Sequence, residues 1–281
     1  MHVGLVIFAT DYAIRPDELA RAAEARGFES LWLPEHTHIP ASRKSPWPGG
    51  PKLPQEYWHT YDPFVALAMA AAVTTTLKLA TGICLLVERD PITTAKEVAS
   101  LDYLSGGRVI FGIGGGWNAE EMADHGTEFR TRWKVLKERV LAMKRLWTED
   151  EAGFAGEYVR FEPSWAWPKP ARRPHPPIVL GSNAKRALER VVDYCDGWMP
   201  IGVRTKDLTS DLERLRQLAV ERGRDPRTID VSLFGAPTDA DALRRLADAG
   251  VARAVLPLPS AGPDVVLPLL DRAAPLVAAV G

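Results

Sequence analysis

Cysteine is almost missing from this chain. Cys84 and Cys195 are the only two in 281 residues, and no CxxC pair occurs. A disulfide framework and a cysteine-built zinc site are both excluded, and the chain reads as cytoplasmic. Long apolar runs are missing too. The most apolar stretch, Phe64 to Val73, is too short to span a bilayer. Neither charge is in excess: 35 Lys and Arg against 36 Asp and Glu leave a net charge of −1. That balance speaks against a nucleic-acid binder, and no polybasic run marks a membrane surface. From Met1-His2 the chain passes straight into the apolar run Val3–Phe8. With no basic leader and no small-residue cleavage site, this start does not read as a signal peptide.

What is present is an alternation of short apolar runs and helical patterns. Val3–Phe8, Glu29–Leu33, Leu77–Ile83, Arg108–Ile113, Pro177–Leu180, Gly197–Ile201, Thr228–Phe234 and Ala252–Leu256 read as strands. Helices read over Pro16–Arg26, from Asp62-Pro63 to about Thr75, and from Asp90-Pro91 to Ser105-Gly106-Gly107. Proline at the first helical position, an acidic first turn or cap and glycine just past the end support these assignments. A short helix starts near Asn118, and a longer one covers about Thr131–Trp147. Others follow Gly181-Ser182-Asn183, cover Asp207–Gly223 and Asp239–Ala249, and close the chain. Alternating strands and helices demand a parallel sheet. About eight such units point to an α/β fold, a (β/α)8 TIM barrel formed by residues 1–281 as one domain.

Two segments interrupt the rhythm. Pro40–Pro54 is rich in Pro, Gly and basic residues and contains Trp47; it follows the end of a strand, where barrel enzymes build their sites. Phe161–Pro177 is rich in Pro and Trp. Loops of this length are often lids or binding loops. The second segment reads equally well as a surface wrap that packs its tryptophans on the barrel.

Several strand ends carry chemistry. The second ends in Glu35-His36-Thr37-His38. His36 is either a general acid or base at neutral pH or a buried histidine bonded to backbone. Glu35 either bonds a polar ligand or orients an imidazole. The His36-x-His38 pair also fits a zinc-dependent barrel hydrolase, but His2, His59, His125 and His175 do not end the later strands that would complete such a site. In the third strand Gly82, within Thr81-Gly82-Ile83-Cys84, marks a bulge or a close backbone approach. Gly112 to Gly116, followed by Trp117 and Asn118, matches a nucleotide-binding fingerprint only loosely. These glycines either admit a flat ligand to the backbone or form a plain strand-to-helix turn. Gly181-Ser182-Asn183 precedes a helix whose N-terminus suits a phosphate, with Ser182 or Asn183 as cap or phosphate ligand.

Three segments, GFESLWLPEHTHIP, LATGICLLVERDPITTAKEVASLDYLSGGRVIFGIGGGWNAEEM and PIVLGSNAKRALERVVDYCDGWMP, together resemble the luciferase-like monooxygenase superfamily. The branch they resemble most is that of the coenzyme F420-dependent oxidoreductases. The resemblance covers nearly the whole chain, and the run from LDYLSGGR to GIGGGWN is its most specific part. It implies a bacterial-luciferase-like TIM barrel with loop insertions, a homodimer, and hydride transfer between deazaflavin and a small organic substrate. It further implies that Glu35 contacts the deazaflavin ring and that His36 sits near the hydride-carrying carbon as the catalytic group. Gly82-Ile83 would form a non-prolyl cis peptide under the ring, with Thr81, Cys84 and Leu85 beside it. Gly114, Gly115, Gly116, Trp117 and Asn118 would line the cofactor's side chain, and Gly181, Ser182 and Asn183 would hold its phosphate.

The chain departs from the pattern in one place. Related sugar-phosphate dehydrogenases carry a glutamate base where this chain has Trp117, so sugar-phosphate oxidation is not expected. Substrate would sit under Pro40–Pro54, against Trp47, Tyr57, Trp58 and His59. The alternative within the superfamily is an FMN-dependent monooxygenase using reduced flavin and oxygen. The Ala-rich helix from Pro63 to Thr75 is the candidate dimer face.

Overall fold

The computed structural model describes residues 1–280. Eight parallel strands close into a barrel: β1 (His2–Val6), β2 (Ser30–Leu33), β3 (Lys78–Thr81), β4 (Val109–Ile113), β7 (Ile178–Gly181), β8 (Gly197–Met199), β9 (Asp230–Phe234) and β10 (Arg253–Pro257). β1 pairs with β10 to close the ring, with Val3 opposite Ala254 and Gly4 opposite Val255. The expected strands are all present, mostly trimmed at their ends.

Helices α1 (Pro16–Ala25), α2 (Pro63–Ala71) and α3 (Pro91–Leu104) each start on proline. Proline suits this position because its missing N–H would be unsatisfied in any case. The Asp62 carboxylate accepts the Phe64 and Val65 N–H groups at 2.9 and 3.0 Å, and Asp90 accepts Thr93 N–H at 2.7 Å. These are the N-caps read from the sequence. After β4 come α4 (Ala119–Asp124) and α5 (Arg132–Thr148), and the second half adds α6 (Ala187–Tyr194), α7 (Leu208–Glu221), α8 (Ala240–Ala249) and α9 (Pro263–Val280).

The barrel lumen is filled, not open. Val6, Trp32, Ala80, Ile110, Val179, Met199 and Val255 form an apolar cluster inside it. The strands' outer faces and the helices build a second, larger core. Trp32 is the bulkiest lumen residue, and its indole N–H donates to Ser30 Oγ at 2.8 Å. Glycine is required at Gly112, where a Cβ would lie 2.0 Å from the Thr81 carbonyl oxygen.

The segment Phe161–Pro177 corrects an expectation. Its first residues form β6 (Arg160–Trp165), paired antiparallel with β5 (Glu151–Ala155) as a hairpin outside the barrel. The Glu138 carboxylate on α5 holds the hairpin turn by accepting the Glu157, Tyr158 and Val159 N–H groups. Trp165 and Trp167 are not packed on the barrel; they remain 80% and 56% exposed. Among the described residues no helix is long and apolar enough to cross a membrane.

Candidate functional site

A cavity of about 600 Å³ opens at the C-terminal ends of the barrel strands. That volume suits a cofactor-sized ligand. The loop ends bring Glu35 and His36 after β2, Gly82, Ile83 and Leu85 after β3, Gly114 to Trp117 after β4, and Gly181 to Asn183 after β7 to one mouth. Trp47 and Tyr57 reach it from the long loop.

Ile83 is the floor of this cavity. The Gly82–Ile83 peptide is cis, as the resemblance implied. A Cβ on Gly114 would stand 2.5 Å from Ile83 Cδ1, and one on Gly181 would stand 2.5 Å from Ile83 Cγ2. These two glycines are therefore needed to seat the Ile83 side chain between β4 and β7. Gly115 leaves room for Trp133, whose ring would otherwise meet a Cβ at 2.8 Å. Gly116 has φ of 64°, a left-handed conformation that favours glycine.

His36 is the polar centre. Its Nδ1 pairs with Glu121 Oε2 at 2.8 Å and Oε1 at 3.0 Å. Glu121 is fully buried on α4. With a carboxylate at Nδ1 the imidazole carries its proton there, so Nε2 is left to the cavity. Trp117 and Tyr57 flank the ring, with centroids 5.7 and 5.2 Å away. Burial raises the Tyr57 hydroxyl above its ordinary pKa. The result is a carboxylate-backed imidazole inside an aromatic-walled cleft.

Glu35 lines the cavity and also has protein partners there. Its carboxylate accepts the Leu85 N–H at 2.7 Å and Arg89 Nε at 2.6 Å. Each oxygen accepts one hydrogen bond, so Glu35 braces the turn after β3 while it lines the cavity. Arg89 continues the brace to Asp62 and Glu97. Burial works against its charge, but the adjacent Glu35 outweighs that and drives its pKa up.

Five expected residues do not line the cavity. Thr81 is buried and donates to the Gly112 carbonyl at 2.6 Å. Cys84 is fully buried, and burial pushes its thiol pKa well up, so it is chemically quiet. Asn118 caps α4 by accepting Glu121 N–H at 3.3 Å. Trp58 is half exposed on the outer side of its loop. His59 turns to Asp11, at 2.8 Å. Asn183 lines the cavity but ties β8's exit, accepting Ile201 N–H at 2.9 Å and donating to Thr205. Neither it nor Ser182 caps α6, which begins at Ala187 with no side-chain cap.

The loop Pro40–Pro54 is pinned over the mouth. Ser45 Oγ accepts the Ala119 N–H at 3.0 Å, and Ser45 N–H donates to Glu120 at 3.2 Å. Arg43 lies over the Trp117 ring. His38 takes Asp124 as its partner at 3.0 Å, away from His36's partner Glu121. The described residues hold no group of three or more His, Cys, Asp or Glu arranged for a metal.

Several residues lay outside the sequence expectations: Arg132 and Trp133 line the cavity, and Glu121 and Arg190 stand behind it against His36 and Trp133. Arg132 stacks on Phe129, 3.7 Å to its centroid, and Arg190 stacks on Trp133 at 4.0 Å. Arg132 Nε and Arg190 Nη1 are buried without a hydrogen-bond partner. Burial lowers the pKa of both, with a further push on Arg132 from Arg190 beside it.

A closed barrel with a cofactor-sized cleft, walled by aromatic rings around a carboxylate-backed imidazole, describes a barrel enzyme. The chain belongs to the luciferase-like monooxygenase family, whose model matches residues 13–263. An uncharacterised protein of Mycobacterium tuberculosis is 41% identical over 98% of both chains. The F420-dependent hydroxymycolic acid dehydrogenase of the same organism is 29% identical over 88% of this chain and 66% of its own. Among solved structures, an F420-dependent secondary alcohol dehydrogenase in complex with an F420-acetone adduct superposes over 100% of both chains, with TM-score 0.78 and 19% identity.

Proposed function

We propose that this oxidoreductase is F420-dependent and transfers a hydride between deazaflavin and a small organic substrate. The observation that carries the reading is His36, buffered by Glu121 at Nδ1 and open at Nε2 above the Ile83 floor. The F420-dependent relative supports the choice of cofactor. The residues present also fit an anionic cofactor. Arg132 lines the cleft with its Nε unpartnered, a cation for an anionic group, and Ser182 and Asn183 line the same cleft for a phosphate.

When bound, F420 supplies a ring carbon that gives or accepts the hydride. Ile83, on the cavity floor, would hold the ring. Trp47, Tyr57 and Trp117 exclude water and shape the substrate space. His36 moves the accompanying proton at Nε2, while Glu121 holds its tautomer and compensates its charge.

The experiment is a fluorescence titration of the purified protein with oxidised F420 and, separately, with FMN. Selective micromolar binding of F420 is expected. Preference for FMN would move the reading to a flavin monooxygenase, checked by oxygen consumption. Binding of neither would overturn both. Arg132→Ala is expected to weaken F420 binding by about 10- to 100-fold, because it removes a charge-assisted hydrogen bond worth about 1.5–3 kcal/mol. Unchanged affinity in that variant would show that the anionic side chain lies elsewhere.

A further inference from the structure

Beneath the glycine turn lies a carboxyl group for which the mechanism above has no use. Glu88 follows β3, in the short 3-10 turn Leu86–Glu88. It is 6% exposed, and neither carboxyl oxygen has a hydrogen-bond donor. A Cβ on Gly116 would sit 3.8 Å from Glu88 Oε1, so the group lies directly under the cavity wall. From α4 it faces the carboxyl of Glu121, the partner of His36; Glu35 faces it from the end of β2 and Arg139 from α5. The nearby arginines make their hydrogen bonds elsewhere. Arg139 Nη1 donates to the Leu86 carbonyl at 2.7 Å, and Arg89 is held by Glu35, Asp62 and Glu97. The Cys84 thiol in the adjoining turn is buried and carries no charge to offset.

Two buried carboxyl groups facing each other, with no Arg or Lys hydrogen-bonded to either, do not both ionise. We infer that Glu88 is a positioning residue: it stays protonated and donates to the ionised Glu121, so that one proton shared by the pair fixes His36 with Nδ1–H toward Glu121 and Nε2 toward the cavity. The inference rests on the proposed function for its meaning in catalysis, though its geometry stands without it. Burial and the Glu121 carboxylate together raise the Glu88 pKa to about 9, which agrees with the arrangement. The chain is then carboxylic acid, carboxylate, imidazole, with a single net negative charge behind the ring.

The test needs neither cofactor nor substrate. Infrared titration of the full-length protein should show the C=O band of a neutral carboxylic acid at pH 7, lost on titration near pH 9 and absent from Glu88→Gln. Nitrogen-15 spectra of His36 should show one tautomer, Nδ1–H, in the wild type. Glu88→Gln keeps an N–H donor for Glu121 and should preserve that tautomer; Glu88→Leu removes the donor and should give a mixture. Stability supplies a third readout. Below about pH 4.5 Glu88 is protonated folded or unfolded; between about 4.5 and 9 only the folded chain keeps the proton. Stability must therefore fall as pH rises through that window, and Glu88→Gln should remove that part of the fall in Tm. Absence of the neutral-acid band at pH 7, its persistence in Glu88→Gln, or an unchanged His36 spectrum in Glu88→Leu would each overturn the inference. Should Glu88→Leu fail to fold, the infrared and Tm comparisons with Glu88→Gln still decide. The F420 titration is separate, so the two readings fail independently.

Discussion

Replacing His36 by alanine is expected to lower turnover by about 10²- to 10⁴-fold, the usual contribution of a positioned acid or base, while F420 affinity changes little. The expectation follows from where the ring stands. His36 lines the cavity, yet its one hydrogen-bonded nitrogen points away from it, to Glu121. The ring is thus a proton carrier at Nε2 and contributes little binding surface. Turnover is read as the change in F420 absorbance with a panel of secondary alcohols, ketones and activated alkenes. Glu121→Gln should reduce turnover in the same direction but less, because an amide still occupies the site and no longer dictates the tautomer. A His36→Ala enzyme with wild-type turnover would remove the imidazole from the chemistry. Loss of F420 binding in step with turnover would make it a binding residue instead.

Replacing Trp32 by alanine is expected to cost about 3–5 kcal/mol of stability, the range for a large aromatic deleted from a packed core. Trp32 is fully buried in the lumen, touching elements all round the ring. It stands 3.1 Å from where a Cβ on Gly82 would be and 3.5 Å from one on Gly112, so it also supports the turn that carries Ile83. The surrounding strands are hydrogen-bonded on both sides and cannot collapse into the space left behind. Urea unfolding checks the loss: the midpoint should drop with little change in slope. A cost below about 1 kcal/mol would mean that the lumen relaxes freely, contrary to the close packing expected of a barrel interior.

Much of this architecture was legible in the chain. Asp62-Pro63 and Asp90-Pro91 announce helix starts because the cap and the proline act on N–H groups two or three residues away. The hairpin was not legible. EAGFA and RFEPSW carry glycine and proline inside their strands, and their turn is held by Glu138, about twenty residues earlier on α5. Tryptophan content gave no guide to burial either: Trp32 fills the lumen while Trp165 faces solvent.

Glu121 shows the limit most clearly. Asn118 followed three residues later by Glu121 is the pattern of a capping box, in which the glutamate turns back to its own helix start. Here it turns to His36, 85 residues earlier, while its neighbour Glu120 takes the loop at Ser45.

Alternation, caps and glycines settle which segments are the barrel's strands and helices, and the order of those segments dictates a parallel barrel. These preferences act over a few residues, so they were present before any tertiary contact. Which carboxylate backs the imidazole, which one braces the turn after β3, and which arginines are left without partners were decided only when the ring closed. Those pairings join residues about 50 to 85 positions apart. Their energies depend on burial, and burial exists only in the folded barrel.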